Sequence, residues 1–182
     1  MYERERKQTA LGQRGKAAEK VVHKILDKMN SEVANFDYSR IYDARSAGGR
    51  FPSRPGDYEL YYNGIFGLIE VKEIAHDYRL PEKNFPAEGR AKLRKRQMAG
   101  GRILVLVYHS TTGKWRTAPL ASFVGGVPSW DLSTVPFCDP EAEIRRMMPM
   151  QPGVGIASAP SLAAGTAAWV RAISRRLHEQ AV

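Results

Sequence analysis

Residues 57–73 read DYELYYNGIFGLIEVKE, and the Asn63-Gly64 pair at their centre decides how the chain folds around them. Asn-Gly between two apolar, aromatic-rich runs is the strongest short-range signal for a two-residue type I′ hairpin, which needs positive φ at both turn positions. With Asn63 and Gly64 as the turn, Tyr62 pairs with Ile65 and the register runs outward until Asp57 stands across from Glu70. Their Cβ atoms are then roughly 4.5–5.5 Å apart on one face. Lys72 projects from the same face, because strand side chains alternate with period two. Like charges directly opposite destabilise a hairpin unless a cation lies between them. A divalent metal held by both carboxylates, with an ammonium alongside, resolves the conflict. The alternative is a surface hairpin carrying an Asp/Glu/Lys ion-pair network, against which the apolar run Phe66–Ile69 argues. The opposite face, with Tyr58, Leu60, Tyr62, Ile69 and Val71, is apolar enough to pack on a helix.

Outward from the hairpin the pattern alternates. Residues 1–11 read as a charged arm. A helix is predicted from about Gln13 to Asn30, with Ala18, Val21, Val22, Ile25, Leu26 and Met29 in one stripe and Lys16, Lys20, Lys24 and Lys28 opposite. A strand is predicted over 33–42, an exposed loop over Ala44–Gly56, and a loop over 74–86. A second helix, Glu88–Ala99, follows Pro86 and ends at Gly100-Gly101. Arg102–Tyr108 reads as a buried strand, Thr111-Thr112-Gly113 as a turn and Lys114–Leu120 as a returning strand. The expectation is an α/β fold, a mixed β-sheet flanked by helices. Beyond Ser122 the pattern fades. Pro149–Pro160 reads as a linker, and Leu162–Leu177 as a terminal helix that packs on its own core, on a sister subunit, or on a polyanion. The division expected is a domain over 1–148 and an appendage over 149–182.

Composition narrows the function classes. The chain has 182 residues, 43% of them hydrophobic, which suits one domain with a proper core. A formal charge of +9 and a pI near 9.8 suit a polyanionic partner. The lone Cys138 excludes an intramolecular disulfide and a cysteine-based zinc cluster, which makes a reducing cytoplasm the expected home. The longest apolar run, Ile103–Tyr108, is far too short to span a bilayer, so no membrane association is expected. His23, His76, His109 and His178 have no zinc spacing. Neither a Walker loop nor a dinucleotide fingerprint occurs.

Asp57 with Glu70-Val71-Lys72 resembles the signature of the PD-(D/E)XK, or restriction-endonuclease-like, nuclease superfamily, with Pro55-Gly56-Asp57 standing where that superfamily has Pro-Asp. The stretch from Asp57-Tyr58 through Glu73, then Leu80-Pro81-Glu82-Lys83-Asn84-Phe85 and Gln97-Met98, is similar to RecU-type Holliday junction resolvases, over roughly residues 12–120. The resemblance implies a restriction-endonuclease-like core and a magnesium site, with manganese able to substitute, formed by Asp57, Glu70 and the Val71 carbonyl. It places a metal-site glutamate on the first helix, where Glu19 is the matching position; a boundary glutamate paired with His23 or a lysine is the alternative. Lys72, its proton affinity lowered by the adjacent metal, is expected to position or deprotonate the attacking water and to offset charge on the phosphate; the resemblance assigns Gln97 to supporting that lysine or water, a solvated glutamine being equally open. It also implies a homodimer acting on four-way DNA junctions.

Two features differ from that family. Arg54-Pro55-Gly56 replaces the small hydroxyl residues before the aspartate, and Glu32–Gly56 leaves room for only a short stalk. The choice between junctions and other branched or duplex DNA stays open on that account. The cations Lys16, Arg54, Lys83, Arg90, Lys92, Arg94, Lys95 and Arg96 are the expected phosphate contacts, a solvated lysine-rich face being the alternative for the second helix. A rival of another class is a non-catalytic nucleic-acid-binding protein, which would stack bases on Tyr58, Tyr61 and Tyr62.

Overall fold

The computed structural model describes residues 2–42, 55–75 and 78–149, with backbone only for 2–15. Arg54, most of the predicted loop, the linker from residue 150 and the terminal helix lie outside the described residues. The elements run α1 (Tyr2–Glu32), β1 (Phe36–Arg40), β2 (Tyr58–Tyr62), β3 (Ile65–Ile74), β4 (Arg79–Pro81), α2 (Ala87–Met98), β5 (Arg102–His109), β6 (Lys114–Ala118), β7 (Ser129–Asp131), β8 (Phe137–Cys138) and α3 (Pro140–Met147), with 3-10 turns at Glu82–Asn84 and Leu120–Ser122. Six strands form one mixed sheet in the order β1-β2-β3-β5-β6-β8, and β4 pairs with β7 in a separate ribbon. The expected α/β fold, a mixed sheet flanked by helices, is the fold adopted.

The hairpin has the expected register. Asn63 and Gly64 take φ of 48° and 79°, and the pairs run from Tyr62↔Ile65 to Tyr58↔Ile69. Strand β3 then pairs in parallel with β5 over eight residues, setting Glu70 beside Val105 and Lys72 beside Val107. The connection between these parallel strands passes through α2, as a parallel pair requires.

Alternation along β3 gives the sheet two different faces. On one, Ala18, Val22, Leu26 and Met29 of α1, with Ile144 and Met148, cover Tyr58, Leu60, Ile69 and Val71. On the other, Leu93 of α2 and the Phe85, Phe123 and Trp130 cluster cover Leu68, Ile74, Val105 and Val107. Each fully buried aliphatic side chain contributes about 1.5–3 kcal/mol of transfer free energy. Glu70 and Lys72 belong to the second face, at its margin.

Several boundaries differ from expectation. Residues 2–11 continue α1 rather than forming an arm; Glu, Arg, Lys, Gln, Ala and Leu are good helix formers, and Gly12 and Gly15 cost only about 1 kcal/mol each. The 74–86 segment holds β4 and a 3-10 turn, because Leu80 is drawn into the core opposite Trp130. The strand expected over 33–42 is confined to Phe36–Arg40, and β6 ends at Ala118, before Pro119. Past Ser122 the chain forms β7, β8 and α3.

Candidate active site

Gly56 sets up the site. Its φ is +85°, and a Cβ there would lie 3.2 Å from the Ile69 carbonyl oxygen, so the residue standing between Pro55 and Asp57 has to be glycine. The turn delivers Asp57 to the start of β2, where its N–H donates to the Ile69 carbonyl at 2.8 Å and its own carbonyl accepts from the Ile41 N–H at 2.8 Å. Both sides of the Asp57 backbone are therefore fixed. Its carboxylate Oδ2 accepts the Val71 N–H at 2.6 Å. A strand residue turns N–H and C=O towards the same edge, so the Val71 carbonyl faces the same side as this carboxylate.

Glu70 and Lys72 complete the cluster. The Lys72 ammonium is ion-paired with Glu70 Oε1, with side-chain exposures of 18% and 12%. It also stands over the Phe85 ring, 5.3 Å from the centroid. Asp57 is pushed up to about 7, first by burial and then by the negative charge of Glu70; Lys72 and the Val71 N–H pull the other way, and Glu19 adds a small upward push. The like-charge conflict expected from the hairpin is thus present, and Lys72 relieves only part of it.

Glu19 approaches from the other side of the sheet. The Tyr58 hydroxyl donates to its backbone carbonyl at 2.8 Å. Its carboxylate is ion-paired with Arg40, not with His23 or a lysine. Its charge reaches Asp57, but Arg40 holds the side chain. Gln97 is exposed in the last turn of α2.

The residues present suit a hard divalent cation. Asp57 and Glu70 each keep one carboxylate oxygen outside the contacts just described, and the Val71 carbonyl adds a third oxygen, an all-oxygen donor set. Among the described residues no three His, Cys, Asp or Glu side chains gather as a metal cage. Magnesium is usually bound by one or two carboxylates, keeping waters and substrate phosphate for its other positions. A cage is therefore not what this chemistry calls for.

The cations divide into two kinds. Lys16, Lys83, Lys95 and Arg96 are exposed. Lys92 pairs with Glu88 one turn away, and Arg94 donates to the Phe123 carbonyl at 2.9 Å. Arg90 corrects the sequence reading. It is 2% exposed, donates to the Phe85 carbonyl, pairs with Glu82 at 2.8 Å and stacks over Trp130 at 4.7 Å. A guanidinium so enclosed cannot reach a phosphate; it ties the segment before α2 to the helix. Arg116, 4% exposed, is a similar structural cation, donating to the Leu132 carbonyl at 2.8 Å.

Two residues at the site were not singled out from the sequence. Arg40 had no local signal, since β1 comes beside Glu19 only through tertiary packing. Phe85 had one, standing in the Lys-Asn-Phe stretch that carries the family resemblance, yet nothing in the sequence put its ring under Lys72.

No protein-family model and no curated protein matches the chain. Among solved structures, the chain is similar to Hjc, a Holliday junction resolvase from the archaeal hyperthermophile Archaeoglobus fulgidus, with 17% identity and a TM-score of 0.48, covering 69% of this chain and 96% of that one. A likeness of that degree carries no residue role across, and the site stands on its own geometry.

Proposed function

We propose that this chain is a metal-dependent DNA endonuclease of the PD-(D/E)XK kind that resolves four-way junctions by paired phosphodiester hydrolysis, working as a homodimer in the cytoplasm. The observation that carries the reading is the half-buried pair Asp57 and Glu70, brought together with Lys72 at the margin of the sheet, with Asp57 raised by burial and by Glu70's charge. Bound magnesium, or manganese in its place, would neutralise phosphate charge and acidify a water. Asp57, Glu70 and the Val71 carbonyl are the groups that would hold it, with Glu19 nearby as a further carboxylate.

Lys72 brings an ammonium to the place where the scissile phosphate gathers charge, and can orient the attacking water. Water attacks phosphorus as one bridging phosphorus–oxygen bond breaks; the water gives up a proton to solvent, and the leaving oxygen takes one up from solvent. Lys16, Lys83, Lys95 and Arg96 supply phosphate contacts that hold the duplex without reading its sequence. Gln97, exposed on α2, keeps its supporting role as a proposal, as does the division into a nuclease domain over 1–148 and an appendage over 149–182. The two-fold symmetry of a four-way junction calls for two symmetric active sites, which a C2 dimer supplies.

The binding-only reading fares worse. Tyr58 is fully buried, which removes it as a stacking platform, and of the three tyrosines only Tyr61 is exposed, at 44%. The test is a cleavage assay on labelled four-way junction, flap and linear duplex, with magnesium, manganese or chelator. Metal-dependent cutting, strongest on the junction, is expected. Absence of cutting on every substrate would return the chain to the binding class, and equal cutting of linear duplex would remove junction selectivity while leaving the nuclease.

A further inference from the structure

Lys72 is held between two groups of opposite character. On one side is the Glu70 carboxylate. On the other is the face of Phe85, 5.3 Å from the ammonium, inside the range where the negative face of a ring attracts a cation. The two holds respond differently to a metal. The Glu70 oxygens are among those a divalent cation would take, so their grip on Lys72 slackens when one binds. The ring competes with nothing.

Phe85 is itself fixed with unusual completeness. It is 1% exposed, and its ring meets Phe123 and Trp130 edge-on, with centroids 5.1 Å and 6.3 Å away. Its carbonyl accepts from the buried Arg90, which stacks on that same Trp130. A flexible four-carbon ammonium therefore rests on a ring held by contacts on several sides. A core phenylalanine needs none of this to fill space, and burial alone would not bring its face to a charged group.

The geometry points to Phe85 as the positioning residue of the site: its ring face keeps the Lys72 ammonium beside Asp57 and Glu70 when the carboxylates are occupied by metal. The role rests on the nuclease reading above; the contact itself does not.

Two measurements test it, on the full chain. In proton–carbon NMR of the wild type, with and without magnesium, the Lys72 ε-methylene signal is expected upfield from the ring current, and Phe85→Leu should remove that shift. A wild-type Lys72 signal at the ordinary lysine position overturns the contact. In the cleavage assay, Phe85→Leu should lower kcat by about tenfold or more at saturating magnesium, as small misplacements of a reacting group do, with KM for DNA unchanged. A fluorinated phenylalanine at position 85 keeps the shape and weakens the ring's negative face, so it should lower kcat in step with its fluorine content while the protein stays folded. Wild-type kcat in the fluorinated variants overturns the positioning role alone. A wild type that cuts no DNA overturns the nuclease reading and this role with it.

Discussion

Asp57 is the residue on which charge and fold meet. Its folded value near 7 lies above the ordinary 3.8, so the sign of its linkage to stability is set. Below about pH 4 the carboxyl is protonated in both states and its favourable contribution to folding is whole. As pH rises towards 7 the unfolded chain ionises freely while the folded one resists, and that contribution is lost, at about 1.4 kcal/mol per unit of difference. Metal-free protein should thus melt lower at pH 8 than at pH 5 through this group, and Asp57→Asn should raise the melting temperature more at pH 8 than at pH 5. Magnesium held by Asp57, as proposed, would compete with the proton, so its affinity should climb between pH 6 and pH 8. Thermal melts with and without the ion check both; a pH-independent gain from Asp57→Asn would show that the carboxylate is not strained. The register of β2 on β3 was legible in the sequence, because Asn63-Gly64 sets it, but the ladder ends at Tyr58↔Ile69 and the Asp57 carboxylate takes the Val71 N–H, a contact the sequence did not signal. Nor was the Glu19–Arg40 pair legible, since it joins a helix to a strand through tertiary packing.

Among the elements, α2 shows how composition misleads. Its basic residues read as a phosphate-tracking row, yet Arg90 turns inward against Phe85, Glu82 and Trp130. Removing one partner of a buried ion pair leaves the rest unsatisfied, and Arg90→Ala should cost about 3 kcal/mol in urea denaturation. Unchanged stability with weakened DNA binding would return Arg90 to the surface. Nothing local distinguishes Arg90 from Lys92 or Lys95; only the position of Trp130, forty residues later in sequence, does so. The elements past Ser122 divide differently. Helix α3 did carry a signal, with Asp139 as N-cap accepting from Glu141 N–H, Pro140 in the first turn, acids at its start and arginines at its end. Strands β7 and β8, like β4 earlier in the chain, are two or three residues long and exist because the larger sheet and its cover hold them, so no periodic pattern marks them.

At the scale of the whole molecule, a net charge of +9 meets a surface on which Lys83, Lys95 and Arg96 are exposed while Arg90 and Arg116 are withdrawn into the interior. Affinity for DNA should come from the exposed set. Replacing Lys83, Lys95 and Arg96 together by glutamine should weaken junction binding and reduce the slope of log affinity against log salt by about 0.9 for each phosphate no longer neutralised. Magnesium dependence of any residual cutting should be unaffected, and an unaltered salt slope would move the DNA path elsewhere. The layer order, helix, sheet, helix, was readable from the alternation of periods, whereas the strand order was not, because the parallel β3–β5 pairing is a long-range choice. Asp57, Glu70 and Lys72 are proposed to form a metal-dependent phosphodiesterase site. That assignment is tested most directly by cleavage of a labelled four-way junction at saturating magnesium by wild type and Glu70→Gln, with junction affinity measured alongside. Glu70→Gln should bind within about tenfold of wild type, since affinity comes from many phosphate contacts, and should not cut. Cutting by Glu70→Gln at the wild-type rate would contradict the assignment.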